Sequence, residues 1–270
     1  SLAQAKDKRP NILFVFRDDH ALHAIGAYNG WLKSVNPTPN IDQLAKEGML
    51  FEKSFCSNSI CGPSRAVIMS GKHSHKNGFM NNGNSFDWTQ QIFPKLLQKA
   101  GYTTGMFGKW GLGAPGSEGD PVKQGWNEFY GYNCQRQAHT YYPPYLWHND
   151  KKVPLDGKTY SHDLIHEQSL KFIRDNAKRP FFAYLPITIP HAAMHVPEED
   201  AAPFRKKFPE HENKIGRYRG PEVRNPAAMF AGMMTRMDRG VGEVLDLLDE
   251  LKIADNTLGL FTSDNGPWHL

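Results

Sequence analysis

Short, unbroken apolar runs alternate with amphipathic stretches along this chain. Ile12-Leu13-Phe14-Val15-Phe16 has the pattern of a strand buried on both faces, and Thr103 to Phe107, Phe181 to Ile187 and the apolar run Leu258-Gly259-Leu260-Phe261-Thr262 read as further strands. Met49 to Phe55 reads as a further strand. Thr38-Pro39-Asn40 opens a short helix, Ile41 to Glu47, and Gly48 closes it. Ile92 to Ala100 places Phe93, Leu96, Leu97 and Ala100 on one helical face before Gly101. A long helix is predicted from about Ala227 to Leu251, with Met233, Met237, Val241, Val244, Leu248 and Leu251 at helical spacing. Its methionines read as core packing. Strands alternating with helices predict an α/β fold, a mostly parallel central sheet with helices on both faces. Ligands of such a sheet bind beyond the carboxyl ends of its strands. Residues 111 to 160, rich in Gly, Pro, Tyr and Trp with little periodicity, predict a long loop layer.

A chain of 270 residues suffices for one large domain, expected over residues 11–270, after a flexible segment 1–10. Ser1-Leu2-Ala3-Gln4-Ala5-Lys6 is similar to the tail of a secretory signal, which points to a periplasmic or secreted bacterial protein. The formal charge of +4 suits an anionic substrate and does not indicate nucleic acid. Arg205, Lys206, Lys207, Lys214, Arg217, Arg219 and Arg224 form the densest basic stretch, a solvated loop or a rim that gathers polyanions. Cys56, Cys61 and Cys134 make no disulfide framework, though a Cys56–Cys134 bridge stays open. No apolar run has the length of a membrane span.

The chemistry gathers at strand ends and around one cysteine. Cys61-Gly62-Pro63-Ser64-Arg65 sets a thiol just before a proline suited to the first helical position, with Gly71 as the stop. Free backbone N–H groups there favour an anion, and Arg65, one turn on, offers a fork of donors to a tetrahedral oxyanion. Two apolar strands end in Asp18-Asp19 and Asp264-Asn265. Paired carboxylates in one place call for a hard divalent cation, Ca²⁺ or Mg²⁺. Lys109, in Phe107-Gly108-Lys109-Trp110-Gly111-Leu112-Gly113, also follows a strand, as does His191 in Ile189-Pro190-His191.

The Cys-x-Pro-Ser-Arg pattern, with the other motifs in order from Asn11 to Gly266, resembles the type I sulfatases of the alkaline-phosphatase superfamily. The resemblance implies that Cys61 is oxidised to formylglycine by a formylglycine-generating or anaerobic maturation enzyme, and that the hydrate is the nucleophile. It implies calcium on Asp18, Asp19, Asp264 and Asn265, with Arg65 holding the nucleophile. Lys109 would bind sulfate, and His191 would bind sulfate or protonate the departing alcohol. Sulfatases commonly read Gly-Lys-Trp-His-Leu-Gly where this chain has Gly111, and His139 is expected to replace the missing imidazole. His75 is expected at the site rim and His195 in a sugar subsite, while His20 would touch substrate or fix Asp19. Tyr130, Tyr132, Tyr141, Tyr142, Tyr145 and Trp147 could stack on sugars or simply pack the loops. The implied substrate is a sulfated carbohydrate of glycosaminoglycan or algal type. Family members are longer, so a C-terminal subdomain with a second active-site lysine is expected to be missing here. The competing expectations are a phosphate or phosphonate ester hydrolase, and a non-catalytic glycan-binding protein with Cys61 unmodified.

Overall fold

The first apolar run forms β1 (Asn11–Arg17), which lies between two parallel neighbours, β6 (Phe181–Ile187) and β9 (Thr257–Ser263). Both edges of β1 are therefore paired, and its two faces pack into separate cores, Leu13 and Val15 in one and Phe16 in the other, which is why the run does not alternate. The computed structural model describes residues 9–35 and 37–267. The proposed signal remnant, Ser1 to Lys6, lies outside the described residues.

Nine strands appear among the described residues. Between β1 and β6 lie β2 (Thr103–Lys109), β3 (Glu128–Tyr132), β4 (Tyr145–His148) and β5 (Lys151–Pro154); β7 (Ile215–Gly216) and β8 (Val223–Arg224) make a separate hairpin. The main sheet has the order β5-β4-β3-β2-β6-β1-β9, parallel from β3 to β9 and antiparallel at the β3–β4–β5 margin. The helices are α1 (Pro39–Glu47), α2 (Cys61–Ser70), α3 (Ser74–Asn77), α4 (Phe93–Lys99), α5 (Ser161–Asn176), α6 (Glu198–Arg205) and α7 (Pro226–Glu250). Leu13 and Val15 pack with Phe172 of α5 and with Met233, Met237 and Val241 of α7 in one core. Phe16, Phe182 and Tyr184 pack with Ala66 and Met69 of α2 in the other, beside Trp110 and Trp126. The sheet is thus covered by helices on both faces, as the alternation predicts.

The structure corrects four expectations. Met49 to Phe55 is not a strand: the segment has no ladder partner among the described residues, and Met49, Phe51 and Phe55 are exposed. Residues 111–160 are not only loop, since β3, β4 and β5 widen the sheet there. Helix α2 begins at Cys61, so Pro63 is its third residue and the cysteine its first. All three cysteines are free, so Cys56 and Cys134 form no bridge, and Cys56 is exposed.

Candidate active site at the carboxyl ends of the strands

Four sheet strands and one helix end converge. β1 runs into Asp18 and Asp19, β2 ends on Lys109, the segment after β6 carries His191, and β9 leads into Asp264 and Asn265. The N-terminus of α2 brings Cys61 and, one turn on, Arg65. All of these side chains are buried. Asp19 adopts φ 53°, which turns the chain sharply after Asp18 so that adjacent carboxylates can both face inward. Asp19 N–H donates to Asp264 Oδ1 at 3.1 Å, tying the first strand end to the last.

The carboxylates and cations interlock. Lys109 Nζ is 2.6 Å from Asp18 Oδ2. Arg65 Nη2 is 2.9 Å from Asp264 Oδ2 and 3.4 Å from Asp18 Oδ1, while Nη1 donates to the Lys109 carbonyl at 2.8 Å. His191 Nε2 faces Asp19 Oδ2 at 3.1 Å, and Asn265 Nδ2 donates to Asp19 Oδ1 at 2.6 Å. Ser64 Oγ donates to the Asp264 carbonyl. Cys61 Sγ lies within 4.8 Å of carboxylate oxygens of Asp18 and Asp264, and likewise of Asp19 and a His191 nitrogen. The His139 ring stacks on His191 at 4.3 Å, and Tyr218 packs edge-on against both.

Electrostatics follow from this crowding. Burial opposes ionisation of Asp18, but Lys109 and Arg65 outweigh it and hold the carboxyl well below its usual range. Asp264 goes the other way, raised by burial and then by the charge of Asp18. Asp19 is raised by the same two causes. Burial, opposed by Lys109 and reinforced by the three carboxylates, pushes the Cys61 thiol up to about 11. His139 is pushed down to about 3 by burial and the nearby Lys109. Among the described residues, three carboxylates face one lysine and one arginine, which leaves the cluster short of positive charge. Asp18 Oδ1 and Asn265 Oδ1 are also buried without a hydrogen-bond donor. An all-oxygen donor set with orphaned oxygens suits a hard divalent cation.

Of the predicted site residues, Asp18, Asp19, Cys61, Arg65, Lys109, His139, His191, Asp264 and Asn265 come together. His75 does not: it is exposed on α3 and stacks on His73. His195 stands one layer out, half-buried, with its ring edge-on to Tyr141 and Nε2 2.9 Å from the Pro221 carbonyl. His20 is buried against Phe261 and bonds the Ala21 carbonyl through Nδ1, so its ring serves local packing. Tyr132 and Tyr141 are core residues, their hydroxyls bonded to the carbonyls of Thr140 and His191. Tyr145 and Trp147 lie on β4 beneath the Lys152 ammonium. Two neighbours of the site escaped the sequence reading: Tyr218, on the β7–β8 hairpin, and Gln135, above Gly111. Gly111 was the usable signal for the second, since a missing side chain at a strand end leaves space that another must fill.

The sulfatase profile matches residues 10–269. The chain belongs to the sulfatase family. Similar proteins include the N-acetylglucosamine-6-O-sulfatase of Bacteroides thetaiotaomicron, 37% identical over 215 residues, covering 79% of this chain and 36% of that protein. The human N-acetylgalactosamine-6-sulfatase is 30% identical over 292 residues, covering 98% of this chain and 51% of its own. Among solved structures, Ps i-CgsB in complex with k-i-k-neocarrahexaose superposes with a TM-score of 0.80 at 30% identity, covering 96% of this chain and 59% of the other. This sulfatase-family chain thus spans between about a third and a half of the length of the curated relatives it matches. Membership implies a metal ion and a formylglycine, and the donor groupings around Cys61 fit both.

Proposed function

We propose that this chain carries the catalytic centre of a carbohydrate sulfatase, a sulfuric ester hydrolase that releases sulfate from a sulfated sugar of glycosaminoglycan or algal type. The observation that carries this reading is the placement of Cys61 Sγ among Asp18, Asp19, Asp264 and His191, at the start of a helix whose Arg65 grips Asp264. In this reading Asp18, Asp19, Asp264 and Asn265 hold calcium, preferred for an all-oxygen site, and a maturation enzyme converts Cys61 to formylglycine. These four residues would hold the cation, which would supply polarisation of a hydroxyl nucleophile at the position of Cys61.

The remaining work falls to side chains of the chain itself. Lys109 is fully buried, so its charge acts undiluted by water on a sulfate oxygen. Arg65 holds both the Lys109 carbonyl and Asp264, which fixes the lysine against the carboxylates. His191 carries a proton to the departing alcohol oxygen, and burial keeps the imidazole ready to return to its neutral form. His139 stacks on that ring and holds its plane. His195 contributes only from the second layer, and His75 has no part. The 6-sulfatase names of two relatives and the carrageenan-type ligand of the third support a sugar sulfate as substrate. Such glycans are met outside the cytoplasm, so we assign a periplasmic or secreted protein. Among the described residues no helix is long and apolar enough to cross a membrane.

The test begins with the mass of the Cys61 peptide after co-production with a formylglycine-generating enzyme. Loss of the mass expected for thiol-to-aldehyde conversion, followed by sulfate release from N-acetylglucosamine 6-sulfate, is the expected result. An unconverted thiol, with a known sulfatase converted in parallel, would move the glycan-binding reading to the front. Faster hydrolysis of the matched phosphate ester would favour the phosphoester hydrolase.

A further inference from the structure

Beyond the end of β2 the chain keeps pairing with the stretch after β3: Trp110 N–H donates to the Tyr132 carbonyl at 2.9 Å and Gly111 N–H to the Asn133 carbonyl at 3.2 Å. Gly111 has φ 75°, and a Cβ there would lie 2.3 Å from Gln135 Oε1 and 3.7 Å from Lys109 Cε. The space beside Lys109 that a side chain at 111 would enter is therefore filled by the Gln135 amide. Both polar atoms of that amide, Oε1 and Nε2, are buried and have no hydrogen-bond partner among the described residues. So are both ring nitrogens of His139 and both amide atoms of Asn133. Six orphaned polar atoms on one seven-residue segment are costly, at about 1–3 kcal/mol each, unless something polar meets them. The segment lies beside the Lys109 ammonium, which indicates an oxygen-rich anion as that partner.

We propose that Gln135 is a substrate-binding residue for which Gly111 makes room, its amide N–H donating to an oxygen of a singly charged sulfate monoester held by Lys109. The amide adds a donor without adding charge. A neutral donor at this place suits a singly charged sulfate monoester better than a doubly charged phosphate monoester, so Gln135 sets the preference for sulfate over phosphate. This inference rests on the sulfate-ester reading above and sharpens it.

The test uses binding, not turnover. The chain with Cys61 unmodified is loaded with Ca²⁺ and titrated calorimetrically with 4-nitrophenyl sulfate and with 4-nitrophenyl phosphate, at a pH where the phosphate is a dianion. Gln135→Ala is expected to weaken sulfate-ester binding about tenfold, equivalent to ~1.4 kcal/mol. Gln135→Lys, which adds a cation, is expected to shift the phosphate-to-sulfate ratio about tenfold towards phosphate. Gly111→Ala displaces the amide and should weaken binding as Gln135→Ala does, with little further loss when the two are combined. Unchanged melting temperatures for the Gln135 variants exclude a general loss of structure. Undiminished sulfate-ester binding by Gln135→Ala, with the parent chain binding, overturns this inference alone. Failure of the parent chain to bind either ester overturns the sulfate-ester reading and this inference with it.

Discussion

Replacing Arg65 by Met tests how the site is held together before any ligand arrives. Arg65 is 1% exposed, and its guanidinium bonds Asp264 at 2.9 Å, touches Asp18 at 3.4 Å and donates to the Lys109 carbonyl at 2.8 Å. Methionine fills most of the volume, so the cavity contribution is small and the loss is polar. An unpaired buried carboxylate costs about 3–5 kcal/mol and the orphaned carbonyl about 1 kcal/mol more. A loss of about 5 kcal/mol is comparable to the whole stability of many domains. With a urea slope of about 2.5 kcal/mol per molar, the midpoint should fall by about 2 M. The assay is tryptophan fluorescence in urea with chelator present, so that bound cation does not enter; Trp110 and Trp126 in the α2-side core report on unfolding. Arg65→Met combined with Asp264→Asn removes the stranded charge and should recover more than half of the loss. A single-variant shift below about 1 kcal/mol, or a double variant no better than the single, refutes the reasoning.

Calcium at a hundredfold excess over its dissociation constant should stabilise the parent chain by about 2.7 kcal/mol, seen as a higher melting temperature that chelator reverses. The effect should vanish in Asp19→Ala, and an unresponsive parent chain would contradict the metal assignment. His162 on α5 is held neutral, its pKa lowered well below the ordinary 6.5 by burial and by the charge of His166. The unfolded chain then binds a proton that the native one refuses, so stability falls as pH drops below about 6.5, by up to ~2 kcal/mol at pH 5. His162→Gln should flatten that part of the stability–pH curve, and an unaltered slope would show the proton is taken up elsewhere. Asn225 caps α7 by accepting from Ala228 N–H at 3.1 Å, donates to the Phe208 carbonyl at 3.0 Å and sits at φ 53°. Asn225→Ala should cost about 2–3 kcal/mol by urea denaturation, and Asn225→Gly less, because glycine tolerates the backbone. Equal losses for the two would remove the backbone contribution.

The parts of this chain that were legible are those where one physical requirement dominates. A strand buried on both faces must be continuously apolar, so β1, β2 and β6 announce themselves, and carboxylates at their ends stand out against that background. β3 was hidden because Gly131 looks like a turn residue. In the structure its missing Cβ lets the backbone approach Gly108, whose carbonyl would lie 2.0 Å from such an atom. Met49 to Phe55 misled for the opposite reason: its composition suits a strand, but no neighbouring ladder exists among the described residues. The histidines divide by tertiary context, which spacing cannot supply. His139 reaches the cluster across the sheet, whereas His75, nearer to Cys61 in sequence, points to solvent. Tyr218 arrives from a segment without a motif, and for Gln135 only the space over Gly111 was a signal that it would enter the site.

The hydrogen bond between Asp19 and Asp264 joins residues 245 positions apart, and β1 completes its pairing only with β9. On a ribosome adding about 5–20 residues per second, roughly 12–50 s separate the emergence of the two ends. During that interval α2 can form, but the wall that buries Cys61 has not been synthesised. The thiol is then open to a protein-sized catalyst, and docking of β9 closes it in. Under the maturation proposed above, this interval would set how long Cys61 can be converted: slower docking of β9 lengthens it, and faster docking shortens it.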